Sequence, residues 1–260
     1  MCKIDELLSK LQSIAPLSLS QKMIERGDYD NSGLLIKVGE RAENILFSLD
    51  LSKKAIEKAV ELNCDTIITH HPAIYNPIKS LEVDGENECV LLAIKNNINV
   101  ISMHLNLDIA GLGIDHFLSL GLGGKNQEII EVVDGENGYG RIAKVTEQAL
   151  SEFVSKIKKN FGTEKIIFYG QKPVKIIASF CGSGAGQAVK ALSQKPCFDT
   201  VITSDIAHHQ LKELIESGVN VVIIPHYASE QFGFNKFYEL ILDKLESEQK
   251  AFYFIDHRFM

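Results

Sequence analysis

The feature that most constrains this chain is an internal echo. Cys64-Asp65-Thr66-Ile67-Ile68-Thr69-His70-His71 is matched by Phe198-Asp199-Thr200-Val201-Ile202-Thr203, followed shortly by His208-His209. Downstream, Ile98-Asn99-Val100 leads to His104 and Asp108, as Val219-Asn220-Val221 leads to His226 and Glu230. Each half reads strand, helix, strand, His, acid. Five elements in one order point to duplication of a supersecondary unit. Two similar lobes facing each other would bring their strand ends together.

Apolar runs at Ile45 to Ser48, Thr66 to Thr69, Val100 to Met103, Lys175 to Phe180, Val201 to Thr203 and Val221 to Ile224 read as buried strands. Between them lie helical patterns. Ser52 to Leu62 carries Ala55, Ala59, Val60 and Leu62 at helical spacing, and Leu211 to Ile215 is followed by the helix-ending Gly218. The alternation predicts an α/β fold with parallel strands, in two related α/β lobes around a dinuclear metal site. The lobes are assigned as residues 1–125 and 126–260. Their boundary falls within 121–140, where Gly121, Gly123, Gly124, Gly135, Gly138 and Gly140 interrupt any long periodic element. A helix from Ser229 to Leu245 and a last strand from Phe252 to Ile255 complete the expectation.

Composition narrows the function classes. With 260 residues, 45% apolar and 23% charged, the chain can bury one large core or two modest ones. Its longest apolar stretches, such as Val221 to Pro225, fall far short of the roughly 20 residues a membrane-spanning helix needs. Met1 to Leu11 mixes Lys3, Asp5 and Glu6 into its apolar positions, unlike a secretory signal, so a cytoplasmic location is expected. The five cysteines form no CxxC pair and read as idle thiols. A net charge of −7 gives no general attraction for nucleic acid, although Lys156, Lys158 and Lys159 mark a local basic patch.

Three clusters carry chemistry. His70 and His71 follow a strand and precede Pro72, at the carboxyl end where open α/β sheets place ligands. Alone, such a pair reads as turn histidines satisfied by backbone. His104, Asn106 and Asp108 follow another strand end; Asp108 is the hard donor, which His104 and Asn106 can order. His226 and Glu230, four apart at a helix start, share one helical face. Together, His70, His71, His226, Asp108 and Glu230 supply three imidazoles and two carboxylates. That inventory suits two divalent transition-metal ions, and it does not choose among zinc, iron, manganese and cobalt. Cys181-Gly182-Ser183-Gly184-Ala185-Gly186 can cradle a phosphate but reads more readily as a tight strand-to-helix turn. Ser204 to His209 reads as surface or core, with a cavity-lining role as the alternative.

These residues resemble a known family, the homologues of GTP cyclohydrolase 1 type 2, also called Nif-three-like proteins. The carriers are Asp28-Tyr29-Asp30-Asn31-Ser32-Gly33-Leu34, Thr69-His70-His71-Pro72, His104-Leu105-Asn106-Leu107-Asp108, Cys181-Gly182-Ser183-Gly184 and His226-Tyr227-Ala228-Ser229-Glu230. Tyr29 stands where the family usually has tryptophan. The resemblance implies one metal on His71, Asp108 and Glu230 and a second on His70, His226 and Glu230, with Glu230 bridging. It also implies a toroidal homohexamer and hydrolysis of a nucleotide or related phosphorylated compound, GTP among them; in such a reaction His104 is placed to shuttle a proton as the catalytic residue. A non-catalytic metal-binding or interaction protein is the competing expectation.

Overall fold

Two sheets organise the chain as an α/β protein. The computed structural model describes residues 2–83, 85, 87–194 and 197–260. Its contacts divide into two compact units, Met1–Leu107 with Phe234–Asp256, and Asp108–Gly233 with His257–Met260. Among the described residues no helix is long and apolar enough to cross a membrane.

In chain order the elements are α1 (Ile4–Gln12), α2 (Leu17–Glu25), β1 (Gly33–Ile36), β2 (Asn44–Ser48), α3 (Lys53–Glu61), β3 (Thr66–Thr69), α4 (Glu88–Lys95), β4 (Asn99–Ser102) and α5 (Leu105–Ile109). There follow α6 (Ile114–Gly121), β5 (Lys125–Asp134), β6 (Asn137–Gln148), α7 (Leu150–Phe161), β7 (Ile167–Tyr169), β8 (Val174–Ser179) and α8 (Ala185–Gln194). The chain ends with β9 (Thr200–Thr203), α9 (His208–Glu216), β10 (Asn220–Ile223), α10 (His226–Leu242) and β11 (Lys250–Phe254).

The first unit holds a five-stranded sheet in the order β1-β4-β3-β2-β11. Its strands run parallel except β1, which pairs antiparallel with β4. β3 and β4 are buried along their whole length, which is why they read as unbroken apolar runs and not as alternation. Helix α3 starts where the Ser52 hydroxyl accepts from Ala55 N at 3.1 Å, and it turns Ala55, Ile56 and Ala59 inward. Ile56 and Ala59 pack with Leu46, Ile67 and Val100 into one apolar cluster.

The second unit holds a six-stranded sheet in the order β5-β6-β8-β9-β10-β7. Here β8, β9 and β10 are parallel, while β5, β6 and β7 are antiparallel additions. Phe180, Ala188, Val201, Leu214 and Val221 form its core.

The echo seen in sequence is repeated bond for bond. Asp65 accepts from Glu43 N at 3.0 Å, Asn44 N at 3.3 Å and the Thr66 hydroxyl at 3.0 Å. Asp199 accepts from Lys175 N at 3.0 Å, Ile176 N at 2.9 Å and the Thr200 hydroxyl at 2.7 Å. Likewise Asn99 Oδ1 accepts from Val38 N at 2.9 Å, and Asn220 Oδ1 from Lys172 N at 3.1 Å. In each unit these side chains close the amino ends of three adjacent parallel strands.

One expectation is corrected. The glycine-rich segment 121–140 breaks regular structure only where α6 ends at Gly121 and at the Gly135 turn; β5 and β6 form a long hairpin through the rest. Gly135, at φ +57°, lies in the turn beside the Asp134–Asn137 pair. Gly138 and Gly140 lie inside β6, where an added Cβ would come within 2.3 Å of the Glu131 carbonyl oxygen and 2.5 Å of the Phe180 ring. Close packing, not chain breaking, places glycine there.

Candidate metal centre

β2, β3 and β4 end side by side, so the residues following them are neighbours. His70 and His71 come directly after β3, and both backbone amides donate to the Leu49 carbonyl, at 3.1 and 3.0 Å. The His70 ring is fully buried and its Nδ1 lies 2.8 Å from the Met103 carbonyl oxygen. A carbonyl only accepts, so Nδ1 carries the proton and Nε2 carries the lone pair. His71 Nδ1 lies 2.6 Å from Asp50 Oδ1, and His104 Nδ1 lies 2.8 Å from Asp30 Oδ1. The three rings gather closely, with centroids 4.9 Å apart for His70–His71, 5.2 Å for His70–His104 and 5.9 Å for His71–His104.

Asp30 is buried, which by itself pushes its carboxyl upward. The bonds from His104, Ser20 and Ser32 outweigh that burial and hold Asp30 below its ordinary value. An ionised Asp30 therefore stands against His104 at neutral pH. Asn106, by contrast, is turned to the Ala15 carbonyl, to which Nδ2 donates at 2.7 Å, so it fastens the connection between α1 and α2.

Asp108 follows His104 by one helical turn on α5. The described residues include His, Asp and Glu side chains grouped so that they can bind a metal ion. Imidazole with carboxylate is the donor chemistry of borderline divalent ions, and the Nδ1 contacts fix each ring as such sites require.

Within the second unit, His226 and Glu230 occupy the first turn of α10, with Nε2 and Oε1 3.0 Å apart. His226 Nδ1 lies 2.7 Å from Asp205 Oδ2, which also accepts from the Ser183 hydroxyl at 2.8 Å. Glu230 is only 3% exposed. Gly182 makes room for it: at φ +54°, a Cβ there would come within 2.6 Å of Glu230 Oε1. The Cys181–Gly186 stretch is thus a tight turn shaped around a carboxylate.

Behind Asp108 lies a buried polar cluster. The Cys181 thiol donates to Asp108 Oδ1 at 3.4 Å, and Cys181 N donates to Asp115 Oδ1 at 3.0 Å. Burial, together with Asp108, Asp115 and Glu230, pushes the Cys181 thiol well above its ordinary value, so it remains a protonated donor. Burial likewise pushes Asp115 up to about 7, against the pull of Arg141, 3.7 Å away, and of two backbone amides. Asp50, Asp115 and Arg141 lie outside every motif read from the sequence, while Cys181 and Asp205 lie in the stretches read there as a tight turn and as surface or core. His208 and His209, matched to His70 and His71 in the linear echo, lie exposed on α9; Ser204 and Asp205 occupy the corresponding positions after the strand.

Fold and donor set define an α/β protein with a His/carboxylate group fitted to a metal ion. The chain belongs to the Duf34/NIF3 (NGG1p interacting factor 3) family, whose model matches residues 2–258. A Clostridium perfringens protein named GTP cyclohydrolase 1 type 2 homolog is 29% identical over 253 residues, covering 95% of this chain and 94% of that protein. Among solved structures, a Staphylococcus aureus hypothetical protein is 26% identical, with a TM-score of 0.82 over 97% of this chain and 96% of that one. A Bacillus cereus protein related to NIF3 shares the fold with a TM-score of 0.85 at 19% identity, over 98% and 97% of the two chains.

Proposed function

We propose that His70, His71, Asp108, His226 and Glu230 hold two divalent transition-metal ions, and that the protein hydrolyses a nucleotide or related phosphorylated compound. His71, Asp108 and Glu230 would serve one ion, and His70, His226 and Glu230 the other. The observation that carries this reading is shared by four imidazoles. His70, His71, His104 and His226 each have Nδ1 engaged, by Met103, Asp50, Asp30 and Asp205. Ligating histidines have the ring nitrogen that faces away from the metal held by a carboxylate or carbonyl, as all four are here.

When bound, a pair of such ions supplies Lewis acidity toward water and toward the bond being cleaved. His104 supplies proton transfer. Its Nδ1 is held by the ionised, buried Asp30, which stabilises the imidazolium that forms when Nε2 takes up a proton. The name of the relatives places GTP first among substrates to test, with ring opening and formate as the product to detect. The homohexamer implied by resemblance is part of the proposal and is checked by mass in solution.

Elemental analysis of the purified protein, followed by GTP turnover of the same sample, tests the reading. About two equivalents of transition metal per chain with formate release is the expected result. Glu230→Ala should release metal, while His104→Ala should keep it and lose turnover by about 100-fold or more. Two equivalents without turnover of any nucleotide would reject the hydrolase and leave a metal-binding protein.

A further inference from the structure

Two exposed tyrosines, Tyr75 beside His104 and Tyr29 beside Tyr75, are not used by the chemistry above. Tyr29 is 48% and Tyr75 46% exposed, yet neither lies on a loose loop. The Tyr29 hydroxyl donates to the Tyr75 carbonyl at 2.6 Å, and Asn31 Nδ2 donates to the Ile74 carbonyl at 2.6 Å, so two loops are stitched together at consecutive residues. Their rings meet edge to face, with centroids 4.9 Å apart and planes at 68°. The Tyr75 ring lies 6.4 Å from the His104 imidazole, at 85°. Tyr29 also immediately precedes Asp30, the residue that holds His104.

We propose that Tyr29 and Tyr75 form an aromatic platform that stacks on the base of a nucleotide presented to His104. The inference rests on reading His104 as the proton carrier of a nucleotide hydrolase. An edge-to-face pair leaves ring surface uncovered, and a pair in which the Tyr29 hydroxyl is tied to the Tyr75 backbone loses little freedom when a ligand covers it. Stacking requires a planar heterocycle and no particular hydrogen-bonding edge. It therefore supplies base recognition that does not depend on a particular hydrogen-bonding edge. The ligand class is a nucleotide, with its base on the tyrosines and its reacting portion toward the imidazoles.

The chain has 7 tyrosines and no tryptophan, so tyrosine fluorescence reports the platform without a competing indole. The metal-loaded protein is titrated with GTP, ATP, CTP, UTP and inorganic tripolyphosphate. At least one nucleotide should bind about fivefold or more tighter than tripolyphosphate, the lower end of what one stacked base contributes, and should quench the fluorescence. Tyr75→Ala should erase that advantage without changing tripolyphosphate affinity, and Tyr75→Phe should retain it. Tyr75→Leu serves if the alanine variant loses metal or helical signal. Equal binding of nucleotides and tripolyphosphate, or an advantage that survives loss of the ring, would overturn the platform. Base-dependent binding without turnover would reject the hydrolase and leave the platform. Turnover with an unchanged KM in Tyr75→Ala would do the reverse.

Discussion

At the residue scale, the acids that hold the imidazoles are as informative as the imidazoles. Asp50 follows β2 as His71 follows β3, and because parallel neighbours end at the same level the two meet at 2.6 Å. Asp50→Asn should lower metal affinity by about 10- to 100-fold while leaving the fold intact, since an amide holds the ring less firmly than a carboxylate. Competition with a chelating dye checks this, and unchanged affinity would remove Asp50 from the centre. Asp115 gives a second residue-level expectation, through pH. Its carboxyl is raised to about 7 in the folded chain, so its contribution to stability is fully present below about pH 4 and is lost as pH rises toward 7. In metal-free protein, Asp115→Asn should flatten that loss, which at about 1.4 kcal/mol per pH unit amounts to a few kcal/mol. Urea unfolding of wild type and variant at pH 4.5 and 7.5 reads the difference; parallel losses would mean another group titrates. The five ligands proposed here were legible because histidine and acid recur after apolar runs. Their supporting acids were less so, since Asp30, Asp50 and Asp205 each lie about 20 residues or more along the chain from the ring they hold.

At the scale of elements, the pattern that announced the fold also fixes it. Asp65 and Asp199 occupy equivalent positions before β3 and β9, and each gathers two backbone amides and a threonine hydroxyl. Asp65→Ala and Asp199→Ala should each cost about 0.5–1.5 kcal/mol, because amides at partly exposed strand ends lose their side-chain acceptor to water. Chemical denaturation of both variants checks the size. Losses differing by several-fold would show that the equivalence is one of shape without energetics. The buried parallel strands were readable as continuous apolar runs, and α3 as a capped amphipathic helix. The β5–β6 hairpin was not, because its glycines answer to neighbours that only the folded sheet supplies: Phe180 against Gly140, and the Glu131 carbonyl against Gly138. Strand β7 escaped notice for a different reason. Ile167, Phe168 and Tyr169 are all exposed at a sheet edge, so they show neither alternation nor a buried run.

At the scale of the molecule, the end of the chain completes the sheet begun near its start, a relation that local periodicity does not contain. β11 pairs in parallel with β2, from Lys250 beside Asn44 to Phe254 beside Ser48. Phe47, fully buried on β2, meets Phe234, Phe237 and Tyr238, with ring centroids 6.1, 6.3 and 5.1 Å away. All of its aromatic partners therefore come from the segment that follows Gly233. A fragment ending at Leu107 would expose that ring and leave β2 as an open, apolar edge, the combination that favours association over folding. Expressed alone, residues 1–107 should elute as aggregate and show no cooperative thermal transition. Joined through a glycine-serine linker to residues 234–256, the same segment should become monomeric and unfold cooperatively, because the edge is then paired and Phe47 covered. Size-exclusion chromatography and calorimetry on the two proteins decide the matter. Cooperative unfolding of the shorter fragment would mean that the first sheet is stable with β2 at its edge, and that the returning helix and strand are additions to a unit already formed.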